Sequence, residues 1–578
     1  MSTRGGFVRL KVLVAATFLT LLLLLVALHH TDELKTTALG RNGEGSAGLG
    51  KVTPPIVQHL EEPIKEELVR QLEQELPEVD YSFWYHWAKP MGYKINNTCA
   101  PYPDPLDLQL HNIYWQSFVN SNVTFRLYAA YLDKRKALKL PTVRILVTAN
   151  QIGDQFPPTH CQLWFEGHRE PVLVSVAEYL TVWVKAWGFK RNLNYPHLLS
   201  CPIPRELPPA VINKLPKTVS LVAKRCDKAS NSLRVNQKPP LAAQNATSKG
   251  QNVTETVALN FGVCVKGFDF PYVDLSERLI EWFELQRILG ASRIYAYMYD
   301  VHPAVQRVLD YYQQTGFLEL RPLTLANGMP RLRHYQHMLL QQRKLEKRLN
   351  ELIPYNDCFY RNLYRHDYLV NVDVDEVIVP KGENRNWHQL VQKAHTLEAE
   401  KGGKCAGRFP ALCFINSYFT KVVSELSNHE EQAIAGELFV LQHTQRFKNY
   451  SQAGRATKCF HNAQLSLTLH NHFTLKWLPG GCNPRTLDTS VAQMQHYREP
   501  DAKYNQTDLV EDRSLWKFAG ELRAAVEYVW LHLDDVLTQI SDPEEQQLED
   551  SLDQDGDELD RELQPLQQVI QARPVPVS

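Results

Sequence analysis

The sequence predicts an α/β fold: a mainly parallel sheet flanked by helices, preceded by a β-rich domain and a single membrane anchor. Three observations carry this. From 257 to 542, short β-branched runs alternate with stretches whose apolar residues recur at helical spacing, the pattern of a parallel sheet. From 81 to 226, strand-like runs follow one another with prolines between them and no long amphipathic helix. Near the N-terminus, residues 12–28 carry no charge and include a leucine run at 21–25.

That uncharged run, about 17 residues, sits at the lower limit for a membrane-spanning helix. Arg4, Arg9 and Lys11 precede it, and Asp32 and Glu33 follow, so 1–11 is expected to stay cytoplasmic and the rest to be luminal. Val26-Ala27-Leu28-His29 is a poor cleavage site, which favours an uncleaved signal anchor over a signal peptide. A stem follows at 29–80, Gly/Ser-rich at first and then charged. Asn-x-Ser/Thr sites at Asn96, Asn122, Asn245, Asn252, Asn449 and Asn505 fit glycosylation in a secretory lumen. The 10 cysteines allow disulfides in that compartment, and no Cys-x-x-Cys pair suggests zinc or redox chemistry. With a net charge of −1 and no long basic block, nothing points to nucleic acid. The oligomeric state is left open.

Aromatics crowd at 81–87, where the β-rich domain is expected to begin, with strands at 123–132, 143–149, 172–183 and 218–223. A polar linker is expected at 227–256. Then come a strand at 259–265, a helix at 275–289 ended by Gly290, a strand at 293–299, and a helix at 303–312 opened by Pro303. A strand at 317–320 and a helix at 335–349 lead to a buried strand from Tyr368 to Pro380. Segments 408–419, 438–447 and 458–473 read as β-type, and 515–540 as an amphipathic helix. The tail, 543–578, is acidic and polar and is expected to be disordered.

The buried strand carries Asp373-Val374-Asp375-Glu376. On a regular strand Asp373 and Asp375 share a face and Glu376 points the other way. Two adjacent carboxylates repel unless a cation neutralises them, and a divalent ion carrying a diphosphate does so. In parallel α/β sheets ligands bind beyond the carboxyl ends of strands, where Asp300 also falls. Asp300 serves equally well as a cap for the helix beginning at Pro303. His470 and His472, two apart, have a spacing that chelates metal, although ordinary strand histidines give the same pattern.

Several segments resemble, in order, those of glycosyltransferase family 92. They are Ala130-Tyr131-Leu132-Asp133-Lys134-Arg135, Phe261-Gly262-Val263-Cys264-Val265-Lys266, Ile294-Tyr295-Ala296-Tyr297-Met298-Tyr299-Asp300 and Asn356-Asp357-Cys358-Phe359-Tyr360-Arg361, followed by Asp373-Val374-Asp375-Glu376-Val377-Ile378-Val379-Pro380 and Gln495-His496-Tyr497-Arg498. The resemblance implies a GT-A nucleotide-sugar-binding domain at 257–542 in a type II Golgi membrane protein. It implies inverting transfer of galactose from UDP-galactose to a glycan hydroxyl on glycoprotein or glycolipid, forming a β linkage. Asp373 and Asp375 would hold Mn²⁺ (or Mg²⁺), with His496 as a third ligand. Asp300, Lys458 and Arg498 are the candidate UDP-sugar contacts. Lys458-Cys459-Phe460 departs from the family's Lys-Ser-Ile form. Glu376 and Glu437 are candidates for the general base, with Glu425 and Asp488 behind them. The alternatives are a transferase using another UDP-sugar, or a catalytically silent membrane-tethered glycan-binding protein.

Overall fold

The computed structural model describes residues 74–81, 99, 101–239, 259–420, 436, 438–499 and 506–538, apart from 154, 169 and 327. The expected anchor at 12–28, nearly all of the stem and the acidic tail at 543–578 lie outside them. Among the described residues no helix is long and apolar enough to cross a membrane.

The chain is a mixed α/β structure. Its N-terminal part is a 10-stranded sheet. The long strand Val123–Asp133 is its spine, pairing antiparallel with Trp115–Asn120 and Thr142–Ala149. Two sequence expectations change here. The strand expected at 172–183 is two short strands, Val172–Ser175 and Glu178–Thr181, at opposite edges of the sheet. The polar linker begins with a strand, Leu233–Asn236, which pairs with Pro216–Val222 and, in parallel, with Val123–Asp133. Tertiary pairing outweighs its polar composition.

The second sheet has seven strands. Leu318–Pro322, Ala291–Val301, Phe261–Phe270 and Tyr368–Asn371 are mutually parallel. Ser276–Leu289 and Pro303–Gln314 are the crossover helices, the first ended by Gly290 in the left-handed conformation at φ 115° and the second opened by Pro303. Lys458–Asn462 then joins antiparallel, and Ala411–Phe414 lies antiparallel to it. The sheet is therefore wholly parallel on the side where helices alternate with strands and mixed beyond it, where Arg485–Thr486 runs parallel to Ala411–Phe414. Leu438 to Phe447 is not a β segment throughout: it holds a short helix, Phe439–Gln442, before the strand Gln445–Phe447.

The helix expected at 335–349 is two, Arg333–Gln342 and Lys344–Asn350, broken at Arg343. The break lets Leu345 and Leu349 pack on Trp183 and Trp187 of the first sheet's loops, while Leu340 faces a cavity. A third helix, Leu352–Arg361, has every residue buried. Its apolar side chains join the two sheets: Tyr355, Phe359 and Tyr360 pack with Tyr128 and Tyr131. Its disulfide Cys264–Cys358 ties it to the strand Phe261–Phe270. Asp357 accepts from Tyr131 and from the Tyr297 hydroxyl at 2.6 Å, and pairs with Arg361 at 2.8 Å. Arg361 reaches on to Glu78 and, at 2.9 Å, to Asn236. All ten cysteines pair, the others as Cys99–Cys226, Cys161–Cys201, Cys405–Cys482 and Cys413–Cys459.

Asp357 is fully buried, and removing one partner of a buried ion pair leaves the other uncompensated. Asp357→Ala is expected to destabilise the fold by about 3–5 kcal/mol, read as a lower urea midpoint. Burial alone would raise the Asp357 carboxyl, but Arg361 and Arg321 outweigh it and hold it below its usual range. A depressed folded value means that this stability is present above the unfolded carboxylate value and lost as pH falls below it.

Candidate active site

The parallel strand carrying the aspartates ends at Asn371, and the next strand, Glu376–Pro380, belongs to a different sheet. Asp373 to Glu376 is a turn, closed by the Glu376 N–H donating to the Asp373 carbonyl at 3.0 Å. The expected strand face shared by Asp373 and Asp375 is thus replaced by a turn that moves the chain between sheets. Glu376 does not point away. It lies under the turn and accepts from the Asp373 N–H at 2.9 Å.

Asp373 is held from three elements. The Tyr355 hydroxyl donates to Oδ1 at 2.7 Å, and Lys266 Nζ meets Oδ2 at 3.0 Å. Lys458 Nζ stands 3.4 Å from the same oxygen and 3.0 Å from Glu376 Oε2, and donates to Asn471 Oδ1 at 2.6 Å. Burial alone would push the Asp373 carboxyl up; Lys266, Lys458 and Tyr355 outweigh it and hold it far below its usual range. Glu376 is pushed up by burial and by Asp373, against the pull of Lys458. Lys458 is fully buried, so it braces two carboxylates from behind and does not face a ligand directly.

Asp375 turns outward, with its side chain 35% exposed. Its Oδ2 lies 3.3 Å from His496 Nε2, because Glu376 and His496 are paired residues of neighbouring strands. Burial raises the Asp375 carboxyl, and the hydrogen bond and charge of His496 more than reverse this. Tyr418 stacks on His496 at 5.3 Å, and Arg498 lies over the Tyr418 ring at 6.0 Å. Arg498 is therefore near the site through Tyr418.

A cavity of about 280 Å³ opens on Asp373 and Asp375. The end of Phe261–Phe270 supplies Lys266 and Asp269, the helix Ser276–Leu289 supplies Arg278, and Lys347, Asn350 and Glu351 close the far wall. Lys266 also pairs with Glu351 at 3.3 Å. Asp269 Oδ1 meets His337 Nδ1 at 3.0 Å, while its buried Oδ2 has no hydrogen-bond partner among the described residues. Lys266, Asp269, Tyr355 and Glu351 were not picked out as site residues from the sequence. A lone lysine ending the apolar run Val263-Cys264-Val265 was the available signal; for Tyr355 there was none.

Other candidates fall elsewhere. Asp300 pairs with Arg333 at 3.5 Å beside the cavity, and the cap of the helix at Pro303 comes from His302 instead. Asp488 is an exposed turn residue accepting from the Ser490 N–H. Glu425 and Glu437 lie outside the described residues, as do Asn96, Asn245, Asn252 and Asn505; Asn122 and Asn449 are exposed. His470 and His472 sit just beyond a strand end, in an aromatic cluster.

The sequence model of glycosyltransferase family 92 matches residues 260–555, just over half of the 578-residue chain. The chain belongs to glycosyltransferase family 92. No curated protein matches it. The family match spans the second sheet, the cavity and all the residues that hold Asp373 and Asp375, and family 92 membership makes glycosyl transfer the reaction class. Lys458→Met is expected to lower the melting temperature by leaving Glu376 buried beside Asp373 without its counter-charge. Adding Glu376→Gln should recover part of that loss in a double-mutant cycle. A melting temperature unchanged by Lys458→Met would contradict this role.

Proposed function

We infer that the chain is a Golgi galactosyltransferase of GT-A fold, anchored through residues 12–28 with its catalytic part luminal. It transfers galactose from UDP-galactose to a glycan hydroxyl on glycoprotein or glycolipid, forming a β linkage with inversion. One observation carries the donor chemistry. Among the described residues that line the cavity, Asp269, Glu351, Asp373 and Asp375 stand against Lys266, Arg278 and Lys347, a formal excess of one negative charge. Such a cavity repels a diphosphate unless a divalent cation enters with it. The disulfides and the exposed Asn122 and Asn449 sequons support a luminal setting.

The donor set fits a hard divalent ion with a borderline nitrogen ligand, Mn²⁺ or Mg²⁺. Asp375, facing outward, and His496, buried beside it, are the two side chains already adjacent. Asp373 joins them only where Lys266 or Tyr355 gives up its contact. No three imidazole, thiol or carboxylate side chains among the described residues form a ready metal cage. This suits an ion that completes its shell with phosphate and water. When bound, the ion supplies Lewis acidity for the departing diphosphate.

The chain's own residues do the remaining work. Lys266, part exposed, presents positive charge to the diphosphate. Asp269, on the cavity wall, accepts a donor from the nucleoside. Lys458 fixes the turn so that Asp375 keeps its orientation. Glu376, buried behind the turn, is poorly placed to take the acceptor's proton.

Release of UDP from UDP-galactose by the purified full-length protein is expected to need Mn²⁺ and to stop with EDTA. Asp375→Asn should lower turnover roughly 10²-fold or more. Turnover that survives both would end the metal reading, and turnover only with another UDP-sugar would end the galactose reading. Asp269→Ala should weaken UDP binding about tenfold, measured by calorimetry.

A further inference from the structure

A second cluster beside the donor cavity belongs to none of the roles above. The loop from Val182 to Lys190, from the first sheet, reaches the catalytic part and places Trp187 against the segment His470 to Phe473. The Trp187 ring lies 4.5 Å from His470, 5.4 Å from His472 and 5.7 Å from Phe473. Trp187, His472 and Phe473 are each partly exposed, and Phe189 next to them is 43% exposed. The loop is braced. The Trp183 indole N–H donates to the Gly188 carbonyl at 2.8 Å, and Tyr195 fastens Lys190 through both of its backbone polar groups. Gly188, at φ 131°, sits so close to Leu345 that a side chain there would be crowded at 3.2 Å. An aromatic ring held in place and partly open to solvent is a surface prepared for a partner.

Its position says which partner. Asn471, between the two histidines, accepts from Lys458, which holds Asp373. The helix Lys344–Asn350 turns Leu345 and Leu349 towards Trp183 and Trp187 and turns Lys347 and Asn350 into the donor cavity. The cluster therefore shares this helix with the donor site and is tied to Asp373 through Asn471 and Lys458. Beneath Trp187, His470 is 1% exposed, and neither ring nitrogen has a hydrogen-bond partner among the described residues. Burial first, then neighbouring positive charge, pushes both histidines down to about 3, so both rings are neutral. A metal pair is thereby disfavoured next to Lys458. What remains is an apolar ring face with neutral hydrogen-bonding groups beside it. That is the chemistry of a pyranose, which offers C–H groups on one face and hydroxyls at its edge.

We propose that Trp187, with His472 and Phe473, forms the subsite that binds the acceptor sugar, so that the N-terminal sheet contributes directly to acceptor recognition. The proposal rests on the transferase reading of the neighbouring cavity. The ring face takes the sugar's apolar side, and the His472 imidazole meets a hydroxyl. The His470–Phe473 segment, tied through Asn471 to Lys458, sets the acceptor's height relative to Asp373.

Saturation-transfer NMR tests it with the full-length protein, in a detergent without a sugar headgroup, using lactose, N-acetyllactosamine and methyl β-galactoside as probes and UDP binding as the control. The wild type should transfer saturation to at least one saccharide. Trp187→Ala should reduce this about tenfold, and Trp187→Phe, which keeps a ring face, should recover most of it. UDP affinity should stay the same in both variants, which also shows that they are folded. Saccharide signals undiminished in Trp187→Ala, or absent from the wild type while UDP binds, overturn the subsite. A wild type that binds saccharide but not UDP, UDP-galactose or their Mn²⁺ complexes overturns the donor reading instead.

Discussion

A carboxylate buried at the end of a sheet is the constraint on which this structure turns. Asp373 is nearly enclosed, with 13% of its side chain exposed, and an uncompensated charge there would cost several kcal/mol. The compensation comes from three elements far apart in sequence: Lys266 on one parallel strand, Lys458 on the antiparallel strand across the sheet, and Tyr355 on the fully buried helix. The charge is neutral in effect only if strand order, register and helix docking are all correct. Asp373 thus reports on the assembly of the whole catalytic half, and the turn it opens carries Asp375 into the cavity.

The same helix explains why the N-terminal sheet is more than an appendage. Leu352–Arg361 gives Tyr355 to the site and Asp357 and Arg361 to the first sheet and Glu78. Its Asn356 amide and carbonyl pair with both backbone groups of Leu469, immediately before His470. One buried element therefore positions the Asp373 carboxylate, the support from the first sheet and the segment that faces Trp187. A polar network this deep is favourable only when every member is satisfied, which makes the junction between the sheets specific as well as stable.

Much of this was legible in the sequence where local chemistry decides. Helical periodicity, Gly290 and Pro303 placed the two crossover helices almost to the residue, because caps and periodicity act within one turn. The Asp373-Val374-Asp375-Glu376 motif and His496 were visible as chemistry. Their geometry was not. An apolar run on both sides of the motif looks like one strand, and only pairing of Glu376–Pro380 with Ala492–His496 shows that the chain changes sheets. The resemblance places Lys458 among the UDP-sugar contacts; its burial depends on partners more than 80 residues away in sequence. His470 and His472 had a chelating spacing, but the aromatic rings that surround them come largely from the other sheet.

The two lysines show why position matters more than charge alone. Lys458 is enclosed and its three contacts leave it nothing to offer a ligand, so it acts by holding Asp373 and Glu376 at fixed separation. Lys266 is 29% exposed and divides itself between Glu351 and Asp373. Each of its contacts is exchangeable for one to a phosphate oxygen, since partly solvated ion pairs are worth little on their own. A divalent cation at Asp375 would turn the cavity's excess of one negative charge into an excess of one positive, which the two negative charges of a sugar-linked diphosphate would then meet. Lys266 could then follow the phosphates without leaving Asp373 bare, because Lys458 and Tyr355 would remain behind it. The buried lysine is what makes the exposed one available.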